Sequence, residues 1–314
     1  MTAKLAVVFP GQGSQSVGML DELASRSAVV RESFSEASDA LGVDLWKLVS
    51  AGPKEELDLT QNTQPAMLAA GVAAWRLWKA RGGTVPAWMA GHSLGEYSAL
   101  VCAGALGFAD GVRLVAERGR LMQDAVPEGA GAVAAVLGLA DEDVRAACAQ
   151  AAEGQVVEAV NFNAPEQVVV AGHAEAVSRA VGIAKRIGAK RAIVLPVSVP
   201  VHCALMRSAA ERLGERLAAA TIRPPSVPVL HNVSVDTASD PDRIRALLVQ
   251  QLCQPVRWVE TIQRLSSEAV GAVVELGPGK VLTGLVKRID KNLEAIGVFD
   301  SRSLDRALEV TRGA

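Results

Sequence analysis

The segment Gly91-His92-Ser93-Leu94-Gly95 holds a serine between two glycines at G-x-S-x-G spacing. A short apolar run, 87–91, precedes it and the apolar stretch 94–106 follows, read as a strand and a helix. A serine on so tight a strand-to-helix turn stands at the tip of the bend, beside a helix N-terminus whose dipole favours developing negative charge. That arrangement suits nucleophilic attack on an acyl carbon. The plainer alternative is a glycine-lined turn with a capping serine.

A serine at neutral pH needs a base. The chain has four histidines: His92, His173, His202 and His231. His92 adjoins Ser93, and successive side chains at such a turn diverge. His173 falls at a strand end and is expected to face solvent. His231 follows the apolar run 227–230 and is either structural or cleft-lining. His202 lies in 199–206, where the main sheet is expected to resume, and loops at strand ends carry the catalytic groups of such sheets. His202 is therefore the expected base, with a satisfied core histidine as the alternative. A hydrolase triad would add an acid between serine and histidine. Asp110 and Asp124 fall within a helical stretch, and Asp141 and Asp143 within a separate unit. The expectation is a Ser–His dyad, with either a remote acid or a backbone carbonyl or amide orienting the imidazole.

The loop Pro10-Gly11-Gln12-Gly13-Ser14-Gln15 follows a first strand at 5–9. It approaches the dinucleotide pattern G-x-G-x-x-G, but Ser16 takes the third glycine's place and Glu32 and Glu36 sit in a helical segment rather than at a strand end. With a serine turn elsewhere, this loop fits better as a backbone N–H donor to an oxyanion.

Strand-like and helix-like runs alternate along the chain, the pattern of a mostly parallel α/β sheet. Helices are expected over 64–80, with Pro65 near the start, and over 109–126. Between 131 and 197 the order becomes strand, helix, strand, strand, helix, strand. This βαββαβ order is that of a ferredoxin-like unit. The expected organisation is a discontinuous large domain, 1–127 and 199–314, with a small inserted subdomain, 128–198. The 314 residues are half hydrophobic, enough for one large core or two smaller ones. A formal charge of −2 argues against a general binder of nucleic acid or anionic membranes. No apolar run reaches signal or membrane-span length. The four cysteines are scattered, without metal-ligand spacing, so no zinc site and no disulfide framework is expected, and a cytoplasmic setting fits.

Taken together, "VFPGQGSQ", "GHSLGEYSAL", "ERGRLMQ", "NFNAPEQVVVAG", "VPVHCALM" and "VELGPGKVLTGLVKRI" resemble the malonyl-CoA:acyl carrier protein transacylases of bacterial fatty-acid synthesis, in matching order over nearly the whole chain. The resemblance implies a hydrolase-like core and a malonyl-serine intermediate on Ser93, with His202 as base. It assigns the oxyanion hole to the backbone N–H groups of Gln12 and Leu94. It gives Arg118 the malonyl carboxylate and Gln251 the carbonyl that orients the histidine. An apolar pocket discriminates acyl chains weakly, whereas a buried guanidinium matches a carboxylate through two bonds. The alternative for Arg118 is a surface arginine paired with Glu117 or a neighbour. Val201 departs from the Ser or Phe that many relatives carry before the histidine, which leaves acyl selectivity less defined. The implied partners are malonyl-CoA and an acidic acyl carrier protein, with no metal or redox cofactor. The basic runs 185–191 and 287–291 are the candidate docking patches. Polyketide or malonate-decarboxylase carriers, and a serine esterase, are the rival readings. Without an apolar zipper the expected state is a monomer.

Overall fold

The computed structural model describes residues 4–197 and 199–312. Among the described residues nine strands are formed: β1 (Lys4–Phe9), β2 (Trp88–Gly91), β3 (Gly131–Leu137), β4 (Val157–Ala164), β5 (Gln167–His173), β6 (Arg191–Val194), β7 (Val229–Leu230), β8 (Val270–Leu276) and β9 (Glu294–Val298). They divide between two sheets. The larger runs β7-β2-β1-β8-β9, with every neighbouring pair parallel. Parallel neighbours require crossover connections, which here are helical and cover both faces. In β1, Leu5, Val7 and Phe9 enter the core that contains the helix Thr60–Ala80, while Ala6 and Val8 join Trp258 and Val286 on the opposite face. Burial on both faces is why this strand reads as an unbroken apolar run.

The second sheet runs β4-β5-β3-β6, every pair antiparallel. One face buries Val136, Val168 and Val170 against Val144 and Val177 of the helices Asp141–Ala151 and Ala174–Arg186. The other face carries Val133, Val160, Val169 and Ala171 in a small cluster with Cys203, the residue after His202. The small sheet therefore leans over the chain that bears the histidine.

Several elements differ from the expected bounds. The helix expected over 64–80 begins at Thr60, because the Asn62 and Thr63 amides close on the Leu59 carbonyl, and Pro65 lies in its second turn. The helix after the serine ends at Cys102, where Gly104 takes φ +75°. The strand at 191–197 stops at Val194, just before Pro196, which cannot donate to a ladder. The apolar run 227–230 contributes only Val229–Leu230 to the sheet. Ser198, at the expected boundary, lies outside the described residues, as do 1–3 and 313–314.

Candidate active site

Three neighbouring parallel strands, β1, β2 and β7, deliver their carboxyl ends to one place. Ser93 leaves β2 with φ +53°, a left-handed backbone that a non-glycine residue rarely adopts. The flanking glycines make the bend possible. A Cβ on Gly91 would fall 1.8 Å from the Gly95 carbonyl carbon, and one on Gly95 would fall 2.0 Å from the Phe9 oxygen. Phe9 pairs with Gly91, so the loop after β1 runs beside the serine turn. The His92 amide donates to the Phe9 carbonyl at 3.0 Å, and a Cβ on Gly11 would approach the His92 oxygen to 2.5 Å. This close approach sets Gln12 against the turn. Among the described residues the backbone N–H groups of Gln12 and Leu94 have no acceptor, and both residues line the same cavity as Ser93.

His202 also has a left-handed backbone, φ +66°, and its amide donates to the Leu252 carbonyl at 2.9 Å. Its Nδ1 stands 2.6 Å from the Gln251 carbonyl oxygen. A carbonyl only accepts, so Nδ1 carries the hydrogen and Nε2 presents its lone pair. Nε2 lies 2.7 Å from Ser93 Oγ. Burial, followed by the nearby Arg118 charge, lowers the His202 pKa to about 3, so the ring is neutral at pH 7 and free to take the serine proton. No acid is needed to orient it. Asp110 and Asp124 are engaged by Arg113 and Arg120 on the helix Phe108–Asp124.

Arg118 projects from that same helix, which seats closely because a Cβ on Gly119 would lie 2.6 Å from the Thr60 carbonyl oxygen. The residue is 1% exposed. Nη1 donates to Gln64 Oε1 at 2.8 Å, and Nη2 donates to Gln251 Oε1 at 3.1 Å and Ser93 Oγ at 3.3 Å. Its Nε has no partner among the described residues. Glu117, the alternative partner, pairs instead with Arg120 and Arg216. A buried guanidinium whose hydrogen-bond acceptors among the described residues are all neutral oxygens, with the Tyr97 ring 5.4 Å from its carbon, is a cation suited to an anion.

These groups surround a cavity of about 490 Å³ whose walls come from both sheets: Ser93, His202 and Arg118 on one side, Val133, Val169 and Asn163 on the other. Gln251 lies immediately behind, fully buried. The other histidines are committed elsewhere. His92 Nε2 bonds Asn163 Oδ1 at 2.7 Å. His231 is buried and holds Glu96, away from the cavity lining. His173 does not simply face solvent: it is half-buried, and its Nδ1 accepts the Val156 amide at 2.9 Å. In the basic runs, Lys190 pairs with Glu166 and Arg288 donates to Gln167, while Lys185, Lys287 and Lys291 are exposed. Among the described residues no cluster of His, Cys, Asp and Glu is arranged to hold a metal ion, and no helix is long and apolar enough to cross a membrane.

Residues 6–299 match the acyl transferase domain family. This chain belongs to that family. It is 56% identical over 305 residues to a malonyl CoA-acyl carrier protein transacylase of Salmonella typhimurium, covering 97% of this chain and 99% of the relative. An acyl carrier protein S-malonyltransferase from Vibrio cholerae superposes with a TM-score of 0.95 at 55% identity, covering 97% of this chain and 99% of that one. A malonyl-transacylase solved in complex with its type II PKS acyl-carrier protein gives 0.97 at 54% identity, covering 98% of this chain and all of that one, 100%.

The candidate site also contains residues that the sequence did not single out. Asn232, at the end of β7, accepts the Ser93 amide on Oδ1 at 2.7 Å and donates from Nδ2 to the Gly91 carbonyl at 2.6 Å, tying both sides of the serine turn. Gln64 holds Arg118, and Asn163 holds His92. The only signal for Glu96 was its place one helical turn after Ser93. Asn232 carried a faint one, as a polar residue just past an apolar strand end.

Proposed function

We propose that this acyl transferase moves a malonyl group from malonyl-CoA to the phosphopantetheine thiol of an acyl carrier protein, through an ester on Ser93. The observation that carries the reading is the buried Arg118, held by neutral oxygens beside the Ser93–His202 pair. Ser93 Oγ attacks the thioester carbon while its proton passes to His202 Nε2. The Gln12 and Leu94 amides receive the oxyanion, and Arg118 takes the distal carboxylate in two charge-assisted bonds. Collapse of the tetrahedral species breaks the C–S bond, and the CoA thiolate leaves with the proton from His202. The carrier thiol then gives its proton to His202, attacks the malonyl ester and releases Ser93 by the same steps in reverse. The Gln251 carbonyl holds the ring in the required tautomer throughout.

The same reading makes the large sheet a hydrolase-like core, 1–127 and 199–314, and residues 128–198 a ferredoxin-like insertion. The strand order β4-β5-β3-β6 supports it. It also makes the protein a cytoplasmic monomer that works without a resident metal or redox cofactor. The helix Val281–Ile289 lines the cavity through Leu282 and Leu285 and exposes Lys287 near its end, which favours the 287–291 run as the docking patch for an acidic carrier. The neighbour bound to a polyketide carrier favours a second reading, in which the same chemistry serves such a carrier. The test is transfer to purified carrier proteins. Malonyl should pass to the phosphopantetheine-bearing form and not to the form lacking it, with parallel double-reciprocal lines; intersecting lines would contradict a covalent intermediate.

A further inference from the structure

Behind the Ser–His pair lies a buried carboxylate that no step above uses. Glu96 is 1% exposed and belongs to the helix Gly95–Cys102. Three donors converge on it: His231 Nδ1 reaches Oε1 at 2.7 Å, while the Asn232 amide at 2.9 Å and Gln251 Nε2 at 2.7 Å reach Oε2. The last contact governs the Gln251 amide. Its NH2 faces Glu96 and the Ser93 carbonyl oxygen at 3.1 Å, and its Oε1 faces Arg118 Nη2 at 3.1 Å. A flipped amide would set oxygen against two acceptors and N–H against N–H, so the surroundings admit one orientation.

We infer that Glu96 is a positioning residue for acyl selectivity, acting through the Gln251 side chain to keep an acceptor against Arg118 and so aim the guanidinium into the cavity. The inference rests on the malonyl reading above. A guanidinium is a rigid fork whose direction is set by the acceptors it already holds. Gln64 fixes one arm and Gln251 the other, leaving the remaining donors aimed rather than free to turn. The same carboxylate steadies Asn232, whose side chain occupies the Ser93 amide and leaves the Gln12 and Leu94 amides to meet the oxyanion.

The experiment measures single-turnover labelling of Ser93 by malonyl-CoA and, separately, by acetyl-CoA, which lacks the carboxylate. Glu96→Leu removes every acceptor and is expected to lower the malonyl-to-acetyl rate ratio about tenfold, the worth of one weakened charge-assisted bond. Glu96→Gln retains an oxygen toward Gln251, with the His231 ring proton moving to Nε2, which has no partner among the described residues; its ratio should stay within about threefold of wild type. A merely structural role slows both thioesters alike and leaves the ratio untouched. An unchanged ratio in folded Glu96→Leu, or a loss in Glu96→Gln as deep as in Glu96→Leu, overturns the inference. Should Glu96→Leu not fold, Gln251→Met keeps the main-chain carbonyl under His202 and must lower the ratio by a similar factor; an unchanged ratio there overturns it equally. A wild-type protein with no malonyl preference would defeat the malonyl reading itself, before any variant is compared.

Discussion

Replacing Arg118 with alanine separates charge recognition from general acyl binding. In the free site the guanidinium spends its donors on the neutral oxygens of Gln64, Gln251 and Ser93, and Nε has no partner among the described residues. A malonyl carboxylate would add two charge-assisted hydrogen bonds, worth about 1.5–3 kcal/mol each. Dehydrating the carboxylate and loosening the existing contacts offsets part of that gain, leaving about 3 kcal/mol of discrimination, or roughly a hundredfold in rate. Arg118→Ala should therefore cut kcat/KM for malonyl-CoA about a hundredfold, while the acetyl-CoA value shifts by less than about fivefold. Arg118→Lys keeps the charge but loses the fork, and should fall between, about tenfold down for malonyl-CoA. Both rates are read from stopped turnover on Ser93, with thermal unfolding run alongside. The melt is needed because the alanine strands the Gln64 and Gln251 oxygens in the interior, at a cost of about 1–3 kcal/mol each. An equal fall for both thioesters in folded protein would instead mean that Arg118 shapes the site without reading the carboxylate.

The depressed His202 pKa predicts a flat acid limb: kcat/KM should hold from pH 8 to about pH 5 instead of dropping near the ordinary histidine value of about 6.5. Protonation disables the base only near the folded value of about 3, so a titration near 6.5 that vanishes in His202→Ala would contradict the buried neutral ring. The linked stability has the opposite sense to a paired histidine. Between about 3 and about 6.5 the unfolded chain binds the extra proton, so His202 makes stability fall as pH drops through that window, and His202→Asn should flatten the slope in acid denaturation. Gly91→Ala forces a methyl onto the Gly95 carbonyl carbon and should cost about 3 kcal/mol or more in urea unfolding; a change below about 1 kcal/mol would mean that the turn relaxes freely. Lys287→Glu with Lys291→Glu should raise the KM for carrier protein several-fold, increasingly at low salt, while leaving labelling by malonyl-CoA unaltered; an unaffected KM would remove this patch from docking.

The serine turn could be read from the chain because its parts are local, whereas His202, 109 positions on, came from weighing four histidines, and Arg118 and Gln251 from the family resemblance. The G-x-S-x-G turn needs glycines for contacts within five residues of each other and with the adjacent strand, so its spacing is written into the sequence. The βαββαβ order is likewise a succession of short apolar segments. What stayed hidden depends on distant parts of the chain meeting. Asn232 joins the serine turn from 139 positions away, and Gln251 reaches the Glu96 carboxylate across 155. A lone Asn, Gln or Glu has no periodicity and no spacing rule, so beyond a place near a strand end or one turn past the serine little marks its side-chain partner before the strands bring the two together. Element ends suffered for a related reason. The extent of β6 and β7 is set by which backbone amides find a partner in the neighbouring strand, and the side-chain pattern does not record that.

The most direct measurement is to expose the protein to malonyl-CoA, isolate it from free thioester, map the label, and add carrier protein bearing phosphopantetheine. One malonyl group is expected, on Ser93, that transfers quantitatively to the carrier thiol and is absent from Ser93→Ala. Label on another residue, or a Ser93 ester that carrier protein leaves in place, would contradict it.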